Sequence, residues 1–236
     1  MKIYWRTFNK HRSKDEDKFP FGMRFYDGPM GSGKSLSMTW DAIQLKEQYP
    51  DMKLISNLII KDFPDQKNFD TIDELILLLE ESQYNKHTLV IIDEALTYFA
   101  ENGGIDPALM NKITQSRACR RLIFVCSQKF KRLNNRLRDF SLETVICRSF
   151  LGIFQINIIR DDTTLHWDKD EMDFVGERKN TVIFKRHDAL YDRYDTFASI
   201  HLNKDLSTTS LLASESPPTP AGEWGKMLDD LIKKRR

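Results

Sequence analysis

Gly28-Pro29-Met30-Gly31-Ser32-Gly33-Lys34-Ser35 is the stretch on which the reading of this chain turns. Two glycines separated by four residues and followed by Lys and Ser match the phosphate-binding loop pattern. Backbone N–H groups must curl round the phosphates there, and bulky side chains would block them. Lys34 then reaches the β- and γ-phosphates, and the Ser35 hydroxyl ligates Mg²⁺. An apolar segment from Met23 to Tyr26 precedes the loop and reads as a strand. An amphipathic stretch from Ser35 to about Gln48 follows and reads as a helix. This strand-loop-helix order is the context the motif requires.

A second signal lies at Leu89-Val90-Ile91-Ile92-Asp93-Glu94, an apolar run ending in two carboxylates. Paired with the loop, Asp93 is expected to hold Mg²⁺ beside Ser35. Glu94, on the other side of the strand tip, is expected to polarise a water towards the γ-phosphate. The run Leu122 to Gln128 is a further strand, and Gln128 at its end is a candidate γ-phosphate sensor if that strand lies between the other two. An arginine donated across a subunit boundary would offset charge developing on the phosphates. Arg117, Arg120, Arg121, Arg136 and Arg138 flank this strand, and the sequence does not choose among them.

Working outward, Lys53 to Ile60, Thr88 to Ile92, Leu122 to Cys126 and Thr144 to Arg148 read as strands, with a helix over Thr71 to Glu81 and helical segments up to about Cys119. Continuous apolar strands separated by helices indicate a mostly parallel sheet covered on both faces, an α/β three-layer core. After Phe150 the rhythm changes. Ile153 to Arg160 and Thr163 to Trp167, joined at Asp161-Asp162, predict an antiparallel β-hairpin extension. The organisation expected is a charged N-terminal arm (1–20), a main domain (21–202), a disordered Ser/Thr/Pro/Gly-rich linker (203–222) and a short amphipathic basic helix (223–236). That last peptide would dock on a partner, on the protein's own core or on an anionic surface.

The chain of 236 residues is 40% hydrophobic and 30% charged with a net charge of +1, the balance of a soluble globular protein. No segment approaches the roughly 18 uninterrupted apolar residues of a membrane span, and Phe150 to Ile159 is broken by Gln155 and Asn157. The N-terminus is charged from Lys2 through Lys18 and lacks the apolar segment of a secretory signal. Cys119, Cys126 and Cys147 show no metal-ligand spacing, which favours a reduced cytoplasmic compartment with Cys126 and Cys147 as buried strand residues. Charge is uneven. Residues 110–148 hold ten Lys/Arg against Asp139 and Glu143, which suits either a solvated face or a surface for polyanions or a neighbouring subunit.

The order of the loop at 28–35, Ile55-Ser56-Asn57-Leu58, Ile91-Ile92-Asp93-Glu94-Ala95, Phe124-Val125-Cys126-Ser127-Gln128 and Leu133 to Arg138 resembles the zonula occludens toxin N-terminal domain. That family comprises filamentous-phage assembly ATPases within the larger FtsK/HerA group. The resemblance implies a P-loop NTPase core of the RecA-like, ASCE type that binds ATP and Mg²⁺. It assigns Lys34 and Ser35 to phosphate and metal, Asp93 to Mg²⁺, Glu94 to water activation and Gln128 to γ-phosphate sensing. It also implies a homo-oligomeric ring, such as a hexamer, working on DNA. The chain departs from the family in two ways. It lacks the transmembrane helix usual in extruding members, so any place at the inner membrane would need a partner protein. The segment Ser116 to Arg121 lacks the family's histidine, which leaves the arginine finger among Arg117, Arg120 and Arg121 open. The functional expectation is an ATP-hydrolysing motor of a virus, phage or mobile element that moves, packages or extrudes DNA during virion assembly. A nucleotide or nucleoside kinase and a slow nucleotide-gated adaptor are the alternatives.

Overall fold

The computed structural model describes residues 19–85, 87–99, 104–128, 134–168 and 173–195. The expected linker and C-terminal helix, and the arm up to residue 18, lie outside these residues. Phe19 is fully buried, stacked on His87 and edge-on to Tyr49, so core packing begins two residues before Phe21.

The first strand, β1 (Gly22–Asp27), runs into the glycine loop and then α1 (Lys34–Gln48). Next come β2 (Lys53–Ser56), β3 (Ile59–Ile60) and β4 (Lys67–Asn68). The expected single strand from Lys53 to Ile60 is thus split at Asn57-Leu58, where Ser56 Oγ accepts from the Leu58 N–H and bends the chain. Helix α2 (Ile72–Glu81) begins at Thr71, whose hydroxyl accepts from the Glu74 N–H while the Glu74 carboxylate accepts from the Thr71 N–H. This reciprocal cap explains why the helix starts where it does. It is followed by β5 (Thr88–Ile92), α3 (Pro107–Thr114), β6 (Arg121–Ser127), α4 (Asn135–Arg138) and β7 (Ser141–Phe150). The described chain closes with β8 (Phe154–Asp168), β9 (Asp173–Lys185), α5 (Asp188–Tyr191) and β10 (Tyr194–Asp195), the last paired with β3.

The main sheet has the order β4-β2-β5-β6-β1-β7-β8-β9. The pairs from β4 through β7 are parallel, whereas β7-β8 and β8-β9 are antiparallel. Alternation along the strands divides the core. Leu89, Ile91, Leu122, Phe124 and Cys126 pack with Met38, Ala42 and Leu45 of α1. Val90, Ile92, Ile123 and Val125 pack on the other face with Leu75 and Leu79 of α2 and Leu109 and Ile113 of α3. Burial of both faces is why these strands read as continuous apolar runs. The result is the three-layer α/β core expected of a P-loop NTPase.

The extension after Phe150 is where the sequence reading needs correction. Asp161-Asp162 is not a turn between two strands, because β8 passes straight through it. The turn chemistry is real but local. Asp161 Oδ1 accepts from the Thr163 N–H and hydroxyl, and the pairing with β9 slips between Asp161 and His166. Gly176 lies opposite, where a Cβ would collide with the Asp161 carbonyl. Asp and Thr therefore make a bulge within a long strand, and the glycine leaves room for it. The reversal that joins β7 to β8 is at Leu151-Gly152, both at positive φ.

A buried charge cluster ties α1 to this extension. Arg24 on β1 bridges Asp41 of α1 at 3.3 Å and Glu143 of β7 at 2.5 Å, and Lys179 of β9 reaches both Glu143 and Asp161. The Tyr26 hydroxyl donates to Asp41 at 2.5 Å. Strands β7 to β9 are thus bound into the same body that carries the loop.

Candidate functional site

The glycine loop lies at the carboxyl end of β1, the crevice where parallel α/β sheets place ligands. Gly33, at φ 86 and ψ 32, is the N-cap of α1, and no side chain caps the helix. The N–H groups of the first turn have no carbonyl behind them, and the helix dipole adds partial positive charge at the same place. A phosphate satisfies both. Gly31, at φ 76, holds a conformation that a side chain would strain. Lys34 Nζ donates to the Pro29 carbonyl at 3.1 Å, folding back across the loop. The loop members Pro29, Met30 and Gly31 are exposed, while Gly28 and Ser32 are buried.

Strand β5 brings the second motif alongside. Ser35 Oγ donates to Asp93 Oδ2 at 2.8 Å. Two cis ligands of an octahedral Mg²⁺ with bonds of about 2.0–2.1 Å stand about 2.9 Å apart, so this pair of oxygens fits the ion. Among the described residues no three His, Cys, Asp or Glu side chains cluster into a metal site of their own. A Ser–Asp pair completed by phosphate oxygens and water is the donor set Mg²⁺ prefers.

Asn57 is a component the residue-by-residue sequence reading left without a role. Its Oδ1 accepts from the Asp93 N–H at 2.7 Å and its Nδ2 donates to the Asp93 carbonyl at 2.8 Å. The amide clamps the peptide on both sides of Asp93. Asp93 Oδ1 accepts from the Glu94 N–H, and Glu94 itself is exposed in the left-handed region at φ 50, ψ 49. A non-glycine residue there carries strain of about 1–2 kcal/mol, which the surrounding bonds must hold. The turn swings the Glu94 side chain away from the core and leaves it open to solvent.

Strand β6 lies between β5 and β1, which meets the condition set for Gln128, and Gln128 stands exposed just past its carboxyl end. The arginines behave differently. Gly22 pairs with Leu122 and Asp27 with Ser127, so Arg117, Arg120 and Arg121 lie at the opposite end of the sheet from the loop, about 20 Å away at the usual strand rise. Arg121 is corrected outright as a finger candidate: it is 1% exposed, and it donates to the carbonyls of Lys112 and Leu79 and to Ser82 Oγ. It pins α2 to α3, and burial lowers its pKa. Arg117 is exposed over the Phe21 ring, Arg120 is half-buried, and Arg136 and Arg138 sit on α4, which leads into the amino end of β7. Among the described residues the basic segment is accordingly dispersed, with Lys112 paired to Glu80; Lys129, Lys131 and Arg132 lie outside them.

The far wall of the loop comes from the antiparallel extension. Gln155, fully buried on β8, donates to the Ser32 carbonyl at 2.9 Å and to Asn157 Oδ1 at 3.0 Å. Ser37 of α1 donates to the same Asn157 oxygen. Arg186, just past β9, places Nη2 2.6 Å from where a Gly33 Cβ would stand. The signal for Gln155 and Asn157 was present in the sequence as two polar residues interrupting an apolar strand on one face. Their target was not.

A glycine loop under an uncapped helix, joined to a carboxylate at the tip of a parallel strand, defines the fold and site as those of a P-loop NTPase. No protein-family model and no curated protein sequence matches the chain. Among solved structures, it is similar to the N-terminal domain of zonular occludens toxin from Neisseria meningitidis. The two share 17% identity and a TM-score of 0.54 over 74% of this chain and 98% of that one. The genome packaging NTPase B204 of Sulfolobus turreted icosahedral virus 2 matches at 12% identity and TM-score 0.48, over 67% of this chain and 98% of its own. The flagellar accessory protein FlaH of Methanocaldococcus jannaschii matches at 12% and 0.42, over 70% and 85%. The first of these shares the fold.

Proposed function

We propose that the chain is an ATPase motor of a virus, phage or mobile element that moves, packages or extrudes DNA during virion assembly. The observation that carries the chemical half is the contact of Ser35 with Asp93 beneath the uncapped amino end of α1. In this reading the α1 N–H groups and Lys34 hold the phosphates, and bound Mg²⁺ would be held by Ser35 and Asp93 and supply charge neutralisation. Glu94 accepts a proton from the attacking water, while Gln128 orients that water or the terminal phosphate. The exposed position of Glu94, beside a buried and clamped Asp93, separates a base from a metal ligand.

The motor half is supported by the motif order and by the fold shared with the zonular occludens toxin domain. The reading includes a ring of identical subunits, which the motif order resembling phage assembly ATPases supports, with Arg117 or Arg120 as the surface arginine offered to a neighbouring site. DNA would be held through its phosphates, and any attachment at a membrane would pass through another protein; no described helix is long and apolar enough to cross one. Phosphate release from ATP, measured with and without DNA and with and without an acceptor nucleoside, tests the proposal. Turnover without acceptor that rises with DNA is expected. Transfer only to a nucleoside acceptor would make the protein a kinase, and DNA-indifferent slow turnover would make it an adaptor.

A further inference from the structure

We propose that Arg186 is a phosphate ligand acting in cis, a second cation that closes on the nucleotide from the side of the antiparallel extension. The proposal rests on the P-loop reading and adds to it a residue on which neither motif bears. Arg186 follows β9, and its main chain is fixed by a hydrogen bond from its N–H to the Ile153 carbonyl at 2.7 Å. Its Nη1 donates to Ser149 Oγ at 2.5 Å, and the guanidinium carbon lies 5.8 Å from the centre of the Tyr191 ring. These contacts hold the fork against the loop, with Nη2 in the space that Gly33 leaves by having no Cβ.

What the guanidinium lacks is an anion. Among the described residues no carboxylate stands within ion-pair distance of it, and its Nε is buried without a hydrogen-bond partner. Arg24 is matched by Asp41 and Glu143, and Lys179, also partly buried, by Glu143 and Asp161. A half-buried guanidinium tethered by one neutral hydroxyl invites a bidentate acceptor of planar or tetrahedral geometry. The adjacent surface is built to hold phosphate. Gln155 lines the same space, with its Oε1 buried, unpartnered and 2.2 Å from where a Gly33 Cβ would stand.

The consequence is that β7 to β9 are part of the nucleotide site. Binding at the loop would be felt along β9 through one side chain.

The test is equilibrium binding of a fluorescent ATP analogue to the full chain with Mg²⁺, for wild type, Arg186→Ala, Ser149→Ala and Lys34→Ala, with thermal melts alongside. Arg186→Ala is expected to weaken binding by roughly tenfold or more at unchanged melting temperature, the loss of a charge-assisted bond. Ser149→Ala, which frees the fork but keeps its charge, is expected to lose roughly two- to tenfold. If Arg186→Ala does not fold, the Ser149→Ala result decides. Wild-type affinity in both, with Lys34→Ala deficient, would overturn the role of Arg186 and leave the P-loop standing. Wild-type affinity in Lys34→Ala would overturn the P-loop reading and this proposal with it.

Discussion

The Ser35 hydroxyl and the Asp93 carboxylate, 58 residues apart in the chain, meet at 2.8 Å. The bond joins the first turn of α1 to the tip of β5, so the phosphate-holding and metal-holding parts of the site form one rigid corner. Ser35→Ala is expected to keep the fold and to lose most of the Mg²⁺ dependence of nucleotide affinity. Titration of nucleotide with and without Mg²⁺ gives the readout, and an unchanged Mg²⁺ effect would separate Ser35 from the metal.

Asn57 holds the Asp93 peptide through two hydrogen bonds. Asn57→Leu leaves a buried N–H and carbonyl unmatched, at about 1–3 kcal/mol each. A fall of about 2 kcal/mol or more in unfolding free energy is expected, together with reduced turnover. Chemical denaturation measures it; a loss below about 0.5 kcal/mol would mean that the β5 tip holds itself.

Glu94 occupies the left-handed region. Glycine placed in an ordinary strand or helix costs about 0.5–1 kcal/mol, but Glu94→Gly is expected to be neutral or stabilising, because it relieves the backbone, while abolishing hydrolysis. Denaturant melts and phosphate release on the same preparation check both halves. A clear destabilisation would show that the turn is not strained.

How much of this was legible in the sequence depended on whether the signal was local. The loop, α1, α2 and the strands leading to Asp93 and Gln128 were readable because glycine spacing and apolar periodicity act over a few residues. Arg121 was not, since its partners Leu79 and Ser82 come from another element. An arginine at the head of an apolar strand looks the same whether it faces solvent or caps two helices. The bulge at Asp161-Asp162 misled for a related reason: Asp and Thr produce the same local hydrogen bonds in a turn and in a bulge, and only Gly176 across the pair tells them apart. Gln155 and Arg186 reach the loop from over a hundred residues away, and no periodicity reports that.

Arg24 faces Asp41 and Glu143 with all three side chains nearly inaccessible. Removing one member of such a cluster leaves buried charge uncompensated, typically about 3–5 kcal/mol. Arg24→Met is expected to destabilise by that order and to loosen α1, and with it the loop. Equilibrium unfolding tests this, and a change under about 1 kcal/mol would mean that water reaches the cluster.

Burial pushes the Cys147 thiol from its ordinary 9.0 up to about 12 and raises Cys126 well above the same value, with Asp93 adding to the latter shift. Their thiolates are therefore scarce at pH 8, and half-buried Cys119 is expected to be the thiol that reacts with a disulfide reagent in the native state. All three should react once the chain is unfolded. Because an unfolded Cys147 loses its proton near 9 and the folded one near 12, its contribution to stability is full below pH 9 and is lost as pH rises towards about 12. Fast native labelling of all three would show that the sheet core opens readily.

Binding and turnover measured together on Glu94→Gln go most directly to the claim that this corner hydrolyses ATP. The amide keeps the shape of the carboxylate but cannot take the proton of water. Affinity for Mg²⁺·ATP is expected to stay within about threefold of wild type, while phosphate release falls by roughly 10²–10⁴. Equal turnover in the two proteins would contradict the assignment of Glu94 as the base, and no release by the wild-type protein at all, with or without DNA, would contradict hydrolysis itself.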